Sequence, residues 1–218
     1  MKDDKLIKLE RINKHILVGL RDLASFTEVP YWIMGSVVCA ALNERFYRKI
    51  GDIDVLIDEN NFITLKDFLE NKSYTIMKRK PWNIVELSGF SWVEAIKGKI
   101  CISIVRFRTN KTGCFIPLRF GFSAFVPKYV FEPKKYKLYG VEFYGLSPES
   151  LYYRIQIEYG KNIVKHREKD LVLLSKNIDR LKYQRLLKEK PGLYFLRYKI
   201  PVERAIAPFF RILNLQRK

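Results

Sequence analysis

The sequence lacks the features that mark exported, membrane-spanning and zinc-binding proteins. No apolar run approaches the roughly 18 to 20 residues that a membrane span needs. The opening segment, Met1 to Glu10, alternates charges without the apolar core of a signal sequence. The three cysteines, Cys39, Cys101 and Cys114, are odd in number and have no close ligand spacing. These absences predict a protein of the reduced cytoplasm and disfavour a zinc site.

Acidic residues are scarce as well. The chain has 41 Lys and Arg residues against 23 Asp and Glu residues, which leaves a formal net charge of +18. An excess of this size attracts polyanions through counterion release, so RNA, DNA or a highly phosphorylated ligand is an expected partner. A solvated basic surface without any such partner is the alternative. The excess grows after residue 128, where aromatic and basic residues interleave.

The spacing of apolar residues predicts helices and strands in alternation over the first part of the chain. The predicted helices cover residues 3–26, 37–46 (with Ser36 as its cap), 59–71 (capped by Asp58), 148–159 and 165–187. One predicted strand ends just before Gly35, and the others cover residues 52–57, 74–82, 84–87, 99–108 and 138–144. Residues 109–135 are predicted to be loops with one short strand, 122–126. This order predicts an α+β protein with an α/β core: a core in residues 1–145 and a basic helical region in 146–218.

Two carboxylates alternate on one predicted strand, downstream of a Gly-Ser turn. Asp52 and Asp54 should share a face of that strand because side chains alternate along it. Carboxylates this close repel each other unless a cation lies between them, and hard divalent ions prefer such oxygen ligands. The Gly35-Ser36 turn lets a phosphate approach the backbone at the start of a helix. A phosphate site beside a metal site is typical of nucleotide chemistry.

The Gly35-Ser36 pair, fifteen further residues and then Asp52-Ile53-Asp54 resemble the motif of the nucleotidyltransferase superfamily, which shares its fold with DNA polymerase β. The spacing is most similar to the branch of lincosamide, minimal and toxin-type nucleotidyltransferases. Arg48 matches an arginine common in that branch. The segments L-S-P-E-S-L-Y-Y (146–153) and H-R-E-K-D-L (166–171) are similar to the helices after its sheet. The resemblance implies a mixed sheet flanked by helices.

The resemblance also implies an activity: transfer of a nucleoside monophosphate from an NTP, such as ATP, to an acceptor hydroxyl, with Mg²⁺ or Mn²⁺ as cofactor. The acceptor would be RNA, a protein or a small molecule. In this family assignment, Asp52 and Asp54 hold the metal and Gly35 and Ser36 hold phosphates. The remaining nucleotide-binding candidates are the basic residues Arg48, Arg167 and Lys169.

One residue departs from the family pattern. The family supplies a third carboxylate from a later strand, and Ser103 stands where it is expected here. A serine is a poor metal ligand and is no base at neutral pH. Glu86 on a neighbouring strand, or Glu94, would take over, or the acceptor would supply its own activation.

If none of these applies, the chain is a catalytically degraded nucleotidyltransferase fold. It would then bind nucleotide or nucleic acid in a regulatory or toxin–antitoxin role. A basic nucleic-acid-binding module with an incidental acidic pair is a third possibility.

Overall fold

Helices flank a mixed β-sheet in the computed structural model of this chain. The structure describes the following residues: 2–78, 93–109, 111, 113–117, 122–159, 165–189, 193–195 and 198–200.

The α-helices lie in two groups, one before and one after most of the strands. They are α1 (Lys2–Ile12), α2 (Lys14–Ala24), α3 (Ser36–Leu42), α4 (Phe62–Asn71), α5 (Pro148–Tyr159), α6 (Lys165–Ser175) and α7 (Arg180–Lys188), with short 3₁₀ turns at Glu59–Asn61 and Lys128–Phe131. None of these helices combines the length and apolar character needed to cross a bilayer.

The strands of the described residues form one branched sheet. They are β1 (Tyr31–Met34), β2 (Ile53–Asp58), β3 (Thr75–Lys78), β4 (Val93–Lys97), β5 (Ile100–Thr109), β6 (Gly113–Pro117), β7 (Phe122–Pro127), β8 (Lys134–Leu138), β9 (Val141–Gly145), β10 (Leu193–Phe195) and β11 (Tyr198–Ile200). This content confirms the predicted α+β class with a helical C-terminal region.

Strand β2 lies at the centre of the sheet. The main path of the sheet runs β11-β10-β7-β6-β5-β2-β1-β9-β8, while β4 also pairs with β5 and β3 pairs with β4. Strand β1 is antiparallel to β2, and β5 is parallel to it. The long strand β5 shares its other edge between β4 and β6. A central position explains why Ile53, Val55 and Ile57 are fully buried.

Helix α2 packs closely on the face of the sheet that carries these apolar residues. Its buried residues are Ile16, Gly19, Leu20 and Leu23. A methyl group on Gly19 would lie only 2.7 Å from Ile100 Cγ2 and 2.9 Å from Ile53 Cδ1. The missing side chain therefore lets α2 lie against the start of β2.

The prediction of one N-terminal helix over residues 3–26 is wrong, because Asn13 separates α1 from α2. Asn13 is fully buried and its side chain bonds to the loop before β2. A polar residue on the apolar stripe is acceptable here because each of its amide atoms finds a backbone partner.

Two predictions in the second half of the sheet are also wrong. The single strand expected over 138–144 is the hairpin β8–β9, in which Tyr139 (φ 47°) and Gly140 (φ 82°) reverse the chain. Positive φ at both central residues is typical of the tight turns that suit twisted strands. The short strand predicted over 122–126 is present as β7, but the loop expected before it contains a further strand, β6, that pairs with β7.

The helix predicted over 165–187 is two helices, α6 and α7. Asp179 begins α7 by accepting hydrogen bonds from Leu181 N (2.9 Å) and Lys182 N (3.2 Å). Glu149 of α5 in turn accepts from Asp179 N at 2.6 Å.

Further on, β10 pairs with β7 and β11, so the C-terminal region contributes strands as well as helices. Residues 201–218 lie outside the described residues.

Candidate active site

The turn between β1 and α3 touches Asp54, the second residue of β2. Antiparallel pairing places Met34 opposite Asp54, and Gly35 follows directly. Gly35 has φ 71° and ψ −140°, a conformation that residues with a Cβ rarely adopt. A Cβ at this position would also collide with Asp54 Oδ2. Only glycine therefore allows the turn and the carboxylate to lie in contact.

Asp52 and Asp54 both lie at the amino end of β2. Asp52 immediately precedes the strand, Asp54 is its second residue, and both are half-buried. Within the described residues, no three His, Cys, Asp or Glu side chains come close enough together to hold a metal by themselves. Two carboxylates suit a hard divalent ion whose other ligands are water and phosphate oxygens. The donor set therefore fits Mg²⁺ bound together with a nucleotide.

Ser36 does not cap α3, contrary to the prediction. It is the first residue of the helix, and no side-chain capping bond is present at this end. Its buried hydroxyl instead accepts a hydrogen bond from Arg48 Nη2. The helix is also shorter than predicted, since it ends at Leu42 and the chain turns through Glu44 at φ 58°.

Arg48 is held by a carboxylate from the C-terminal helical region. Its Nε donates to Asp170 Oδ1 at 3.1 Å and its Nη2 to Asp170 Oδ2 at 3.0 Å. Such a two-point pair fixes the plane of the guanidinium. Burial opposes the positive charge of Arg48, but its hydrogen bonds and attraction to Asp170 outweigh this and raise the pKa of Arg48. Arg48 therefore stays charged beside Ser36.

Two more side chains meet at Asp170. Tyr47 donates its hydroxyl to Asp170 Oδ1, and Arg167 Nη1 donates to Oδ2 at 3.2 Å. Burial, followed by the nearby Cys39 and Asp170, raises the pKa of Tyr47, so its hydroxyl stays protonated. One buried carboxylate facing two guanidinium groups leaves this cluster with a net positive charge.

The loop that carries Arg48 is fixed from the opposite side by Asn13. The amide Nδ2 of Asn13 donates to Arg48 O at 3.0 Å, and its Oδ1 accepts from Ile50 N at 2.8 Å. Phe46 and Ile50 are each 1% exposed, and Phe46 stacks on Tyr139 at 5.3 Å between ring centroids. The loop thus approaches β2 in a defined conformation.

Ser103 stands beside Asp54, as the sequence pattern predicts, and Glu94 lies one strand beyond it. In the sheet register Ser103 of β5 is opposite Asp54 on one side and opposite Glu94 of β4 on the other. Directly paired residues point to the same face of a sheet. Asp54 and Glu94 are therefore on one face, with Cα atoms about 10 Å apart given two strand spacings.

The remaining predicted site residues are less closely tied to this arrangement. Lys169 is an exposed residue of α6, next to the buried Asp170. Glu86 lies outside the described residues. The roles of Lys169 and Glu86 stay predictions.

The sequence interpretation did not identify Asn13, Tyr47 or Asp170 as site residues. Asn13 could have been found, because it continues the apolar spacing of Leu9 and Ile16 and so had to be buried. Asp170 precedes the buried Leu174 by one helical turn, which is a weaker signal of the same kind. The sequence contains no local signal that Tyr47 would contact α6.

A cavity of about 440 Å³ lies at the other end of β2 and is separate from this site. Its lining includes Trp32, Asp58, Phe107 and Phe131. Asp58 is four residues beyond Asp54, or about 13 Å along an extended strand.

Comparison with known proteins identifies the fold. No protein-family model and no curated protein matches the sequence. The structure is similar to a crystal structure of ANT(2″)-Ia in complex with adenylyl-2″-tobramycin, with a TM-score of 0.58, 15% identity and coverage of 81% of this chain and 96% of that chain.

Two other solved structures are also similar. For a solution structure of the antibiotic-resistance factor ANT(2″)-Ia, the TM-score is 0.51 at 14% identity, covering 84% of this chain and 91% of that chain. For lincomycin-bound LnuA, a lincosamide antibiotic adenylyltransferase, the TM-score is 0.48 at 16% identity, covering 78% of this chain and 98% of that chain. The chain thus has the nucleotidyltransferase fold. This confirms the fold that the Gly35-Ser36 and Asp52-Ile53-Asp54 motif predicts.

Proposed function

We propose that this protein is a metal-dependent nucleotidyltransferase that moves a nucleoside monophosphate from an NTP to an acceptor hydroxyl. The observation that carries the proposal is the contact between the Gly35 turn and Asp54. This contact brings a backbone turn, which is proposed to receive phosphate, next to a carboxylate suited to a divalent ion. The fold shared with ANT(2″)-Ia supports the same activity.

Asp52 and Asp54 are the proposed ligands of Mg²⁺ or Mn²⁺. When bound, the ion neutralises triphosphate oxygens and the charge that develops on the leaving pyrophosphate. The half-burial of both carboxylates lowers solvent competition while leaving each of them accessible to a ligand.

The phosphates of the NTP are proposed to lie against Gly35 and Ser36. Arg48 donates to Ser36 and keeps its charge, and Arg167 adds a second cation at Asp170. Guanidinium groups suit phosphate because their N–H groups form paired hydrogen bonds. Lys169, which is exposed on the same helix, would add long-range attraction only.

The transfer needs a base. The acceptor oxygen forms a bond to the α-phosphorus of the NTP. The bond from that phosphorus to the oxygen that bridges the α- and β-phosphates breaks, and pyrophosphate leaves. The proton of the acceptor hydroxyl must also be removed. Ser103 cannot take this proton, so we propose Glu94, which shares its sheet face with Asp54. Glu86 remains the other proposed carboxylate.

The proposals for the donor and the acceptor rest on the neighbour structure and on the net charge. The neighbour structure contains adenylyl-2″-tobramycin, which favours ATP as donor and a small hydroxylated molecule as acceptor. The net charge of +18 favours RNA, and a protein hydroxyl is the third class. The reduced cytoplasm is the proposed location.

A second candidate function is nucleotide binding without transfer. The observation that favours it is Ser103, 2% exposed, standing directly beside Asp54 where a carboxylate would serve transfer. Such a protein would act in a regulatory or toxin–antitoxin pair.

One experiment separates the two candidates. The protein is incubated with each of the four α-³²P NTPs and Mg²⁺ or Mn²⁺, and cell RNA, protein and small-molecule fractions are then resolved. Label in one fraction supports transfer and names both donor and acceptor class. Bound NTP without label in any fraction supports the second candidate.

A further inference from the structure

Asp170 is a buried carboxylate that joins the helical region to the candidate phosphate turn. Its side chain is 0% exposed. It accepts hydrogen bonds from Tyr47, Arg48 and Arg167, with two of them from Arg48. An isolated buried charge is costly, so these donors offset the free energy of burying the carboxylate.

The hydrogen bonds of Arg48 connect Asp170 to the turn. Nη2 of Arg48 donates both to Asp170 Oδ2 and to the hydroxyl of Ser36. Ser36 follows Gly35, which contacts Asp54. The position of the Arg48 guanidinium beside the candidate phosphate and metal ligands is thus set by a residue of α6.

We infer that Asp170 is a positioning residue that determines the affinity of this protein for polyphosphate. It acts by orienting Arg48 and Arg167 and touches no ligand itself. This inference rests on the proposed function, because it assumes that the Gly35-Ser36 turn receives phosphates.

The charge of Asp170 makes the inference sharply testable. Replacing Asp170 by asparagine removes one negative charge from a cluster with two guanidinium groups. If Asp170 acted through charge alone, the variant would bind polyphosphate more tightly. If it acts by positioning, the variant binds polyphosphate more weakly, because the asparagine side chain has one oxygen and cannot accept both hydrogen bonds from Arg48. The two accounts therefore predict opposite signs.

The experiment measures the dissociation constants of Mg²⁺-tripolyphosphate, Mg²⁺-ATP and AMP by titration calorimetry on the full chain. We expect Asp170→Asn to weaken tripolyphosphate and ATP binding about 10-fold, the loss of one charge-assisted hydrogen bond. AMP binding should change less than about 2-fold, because AMP has a single phosphate and lacks the polyphosphate whose affinity Asp170 is inferred to determine.

Two further variants keep the result independent of folding. Arg48→Lys retains the positive charge but loses the paired N–H donors of the guanidinium. We therefore expect it to lose the preference for ATP over AMP to the same extent as Asp170→Asn. Glu149→Gln is the matched control, since Glu149 is also a buried carboxylate, 5% exposed, but binds Asp179 N instead. It should lower the melting temperature without changing the ratio of ATP to AMP affinity.

Unchanged or tighter tripolyphosphate binding by folded Asp170→Asn, or by Arg48→Lys, would overturn the inference. Wild-type protein that binds no polyphosphate at all would overturn it together with the phosphate site of the proposed function. Wild-type protein that binds polyphosphate but transfers no label would count against transfer alone.

Discussion

At the scale of single residues, Gly35 is the position where backbone conformation and site chemistry depend on each other most directly. It combines a positive φ with contact to Asp54. We expect Gly35→Ala to reduce Mg²⁺-ATP affinity at least about 10-fold by displacing the Asp54 carboxylate, and to destabilise the fold by about 1–3 kcal/mol. Equilibrium binding and urea unfolding measure the two effects.

Gly98→Ala is the control for this variant. Gly98 also has a positive φ, 58°, but a Cβ there would meet nothing within 4 Å. It should therefore show a cost in stability without any loss of Mg²⁺-ATP affinity. Equal affinity losses in the two variants would show that displacement of Asp54 is not the cause.

The reactivity of the three cysteine thiols tests whether the side chains are buried as the structure has them. Burial raises the pKa of Cys39 to about 12 and that of Cys114 to about 11, so both stay protonated at pH 8. Cys101 is only partly buried. We expect Ellman's reagent at pH 8 to label Cys101 first in native protein and all three thiols after denaturation. Rapid labelling of Cys39 in native protein would contradict the packing of α3.

At the scale of elements, the break between α1 and α2 serves the loop before β2. We expect Asn13→Ala to destabilise the protein by about 2–3 kcal/mol, because it leaves Arg48 O and the buried Ile50 N–H without their partner. Urea unfolding measures the loss, and Mg²⁺-ATP affinity should fall with it as Arg48 loses its support.

Asn43→Ala provides the matched comparison. Asn43 also donates from its side chain to a backbone carbonyl, Arg45 O at 3.2 Å, but this bond is exposed. Its loss should cost less than about 1 kcal/mol, since water replaces the partner. A similar cost for both variants would contradict the role assigned to Asn13.

Strands β2, β5 and β4 bring Asp54, Ser103 and Glu94 into one row. If Glu94 takes the acceptor proton, Glu94→Gln should lower kcat by about 10²–10³-fold with little change in KM for the NTP. Steady-state label transfer measures both constants. Glu70→Gln, on α4 at the surface, is the control, and full activity of Glu94→Gln would favour Glu86 instead.

At the scale of the whole molecule, the sequence predicted the central strand β2 and the turn before α3 better than it predicted the outer parts of the fold. Strand β2 and the turn at Gly35 follow from strong local patterns: period-two alternation and a Gly-Ser pair. The β8–β9 hairpin was missed because apolar residues flank its Tyr139-Gly140 turn on both sides. Strand β6 was missed because its pairing with β5 and β7, rather than a local pattern, stabilises it.

The individual contacts between distant parts of the chain follow from no local pattern in the sequence. The bonds from Arg48 to Asp170 join residues 122 positions apart, and no periodicity in the sequence encodes them. The division of the chain near residue 145 stays a prediction, and this ion pair shows that residues on either side of it are in contact.

The central claim is that Asp52 and Asp54 serve nucleotidyl transfer, and the most direct test is label transfer by a variant lacking both charges. Asp52→Asn/Asp54→Asn is compared with wild type and with Asp67→Asn/Glu70→Gln, a surface pair of the same charge change on α4. We predict that wild type and the surface variant transfer label from an α-³²P NTP and that Asp52→Asn/Asp54→Asn does not. Equal transfer by all three proteins would contradict the account.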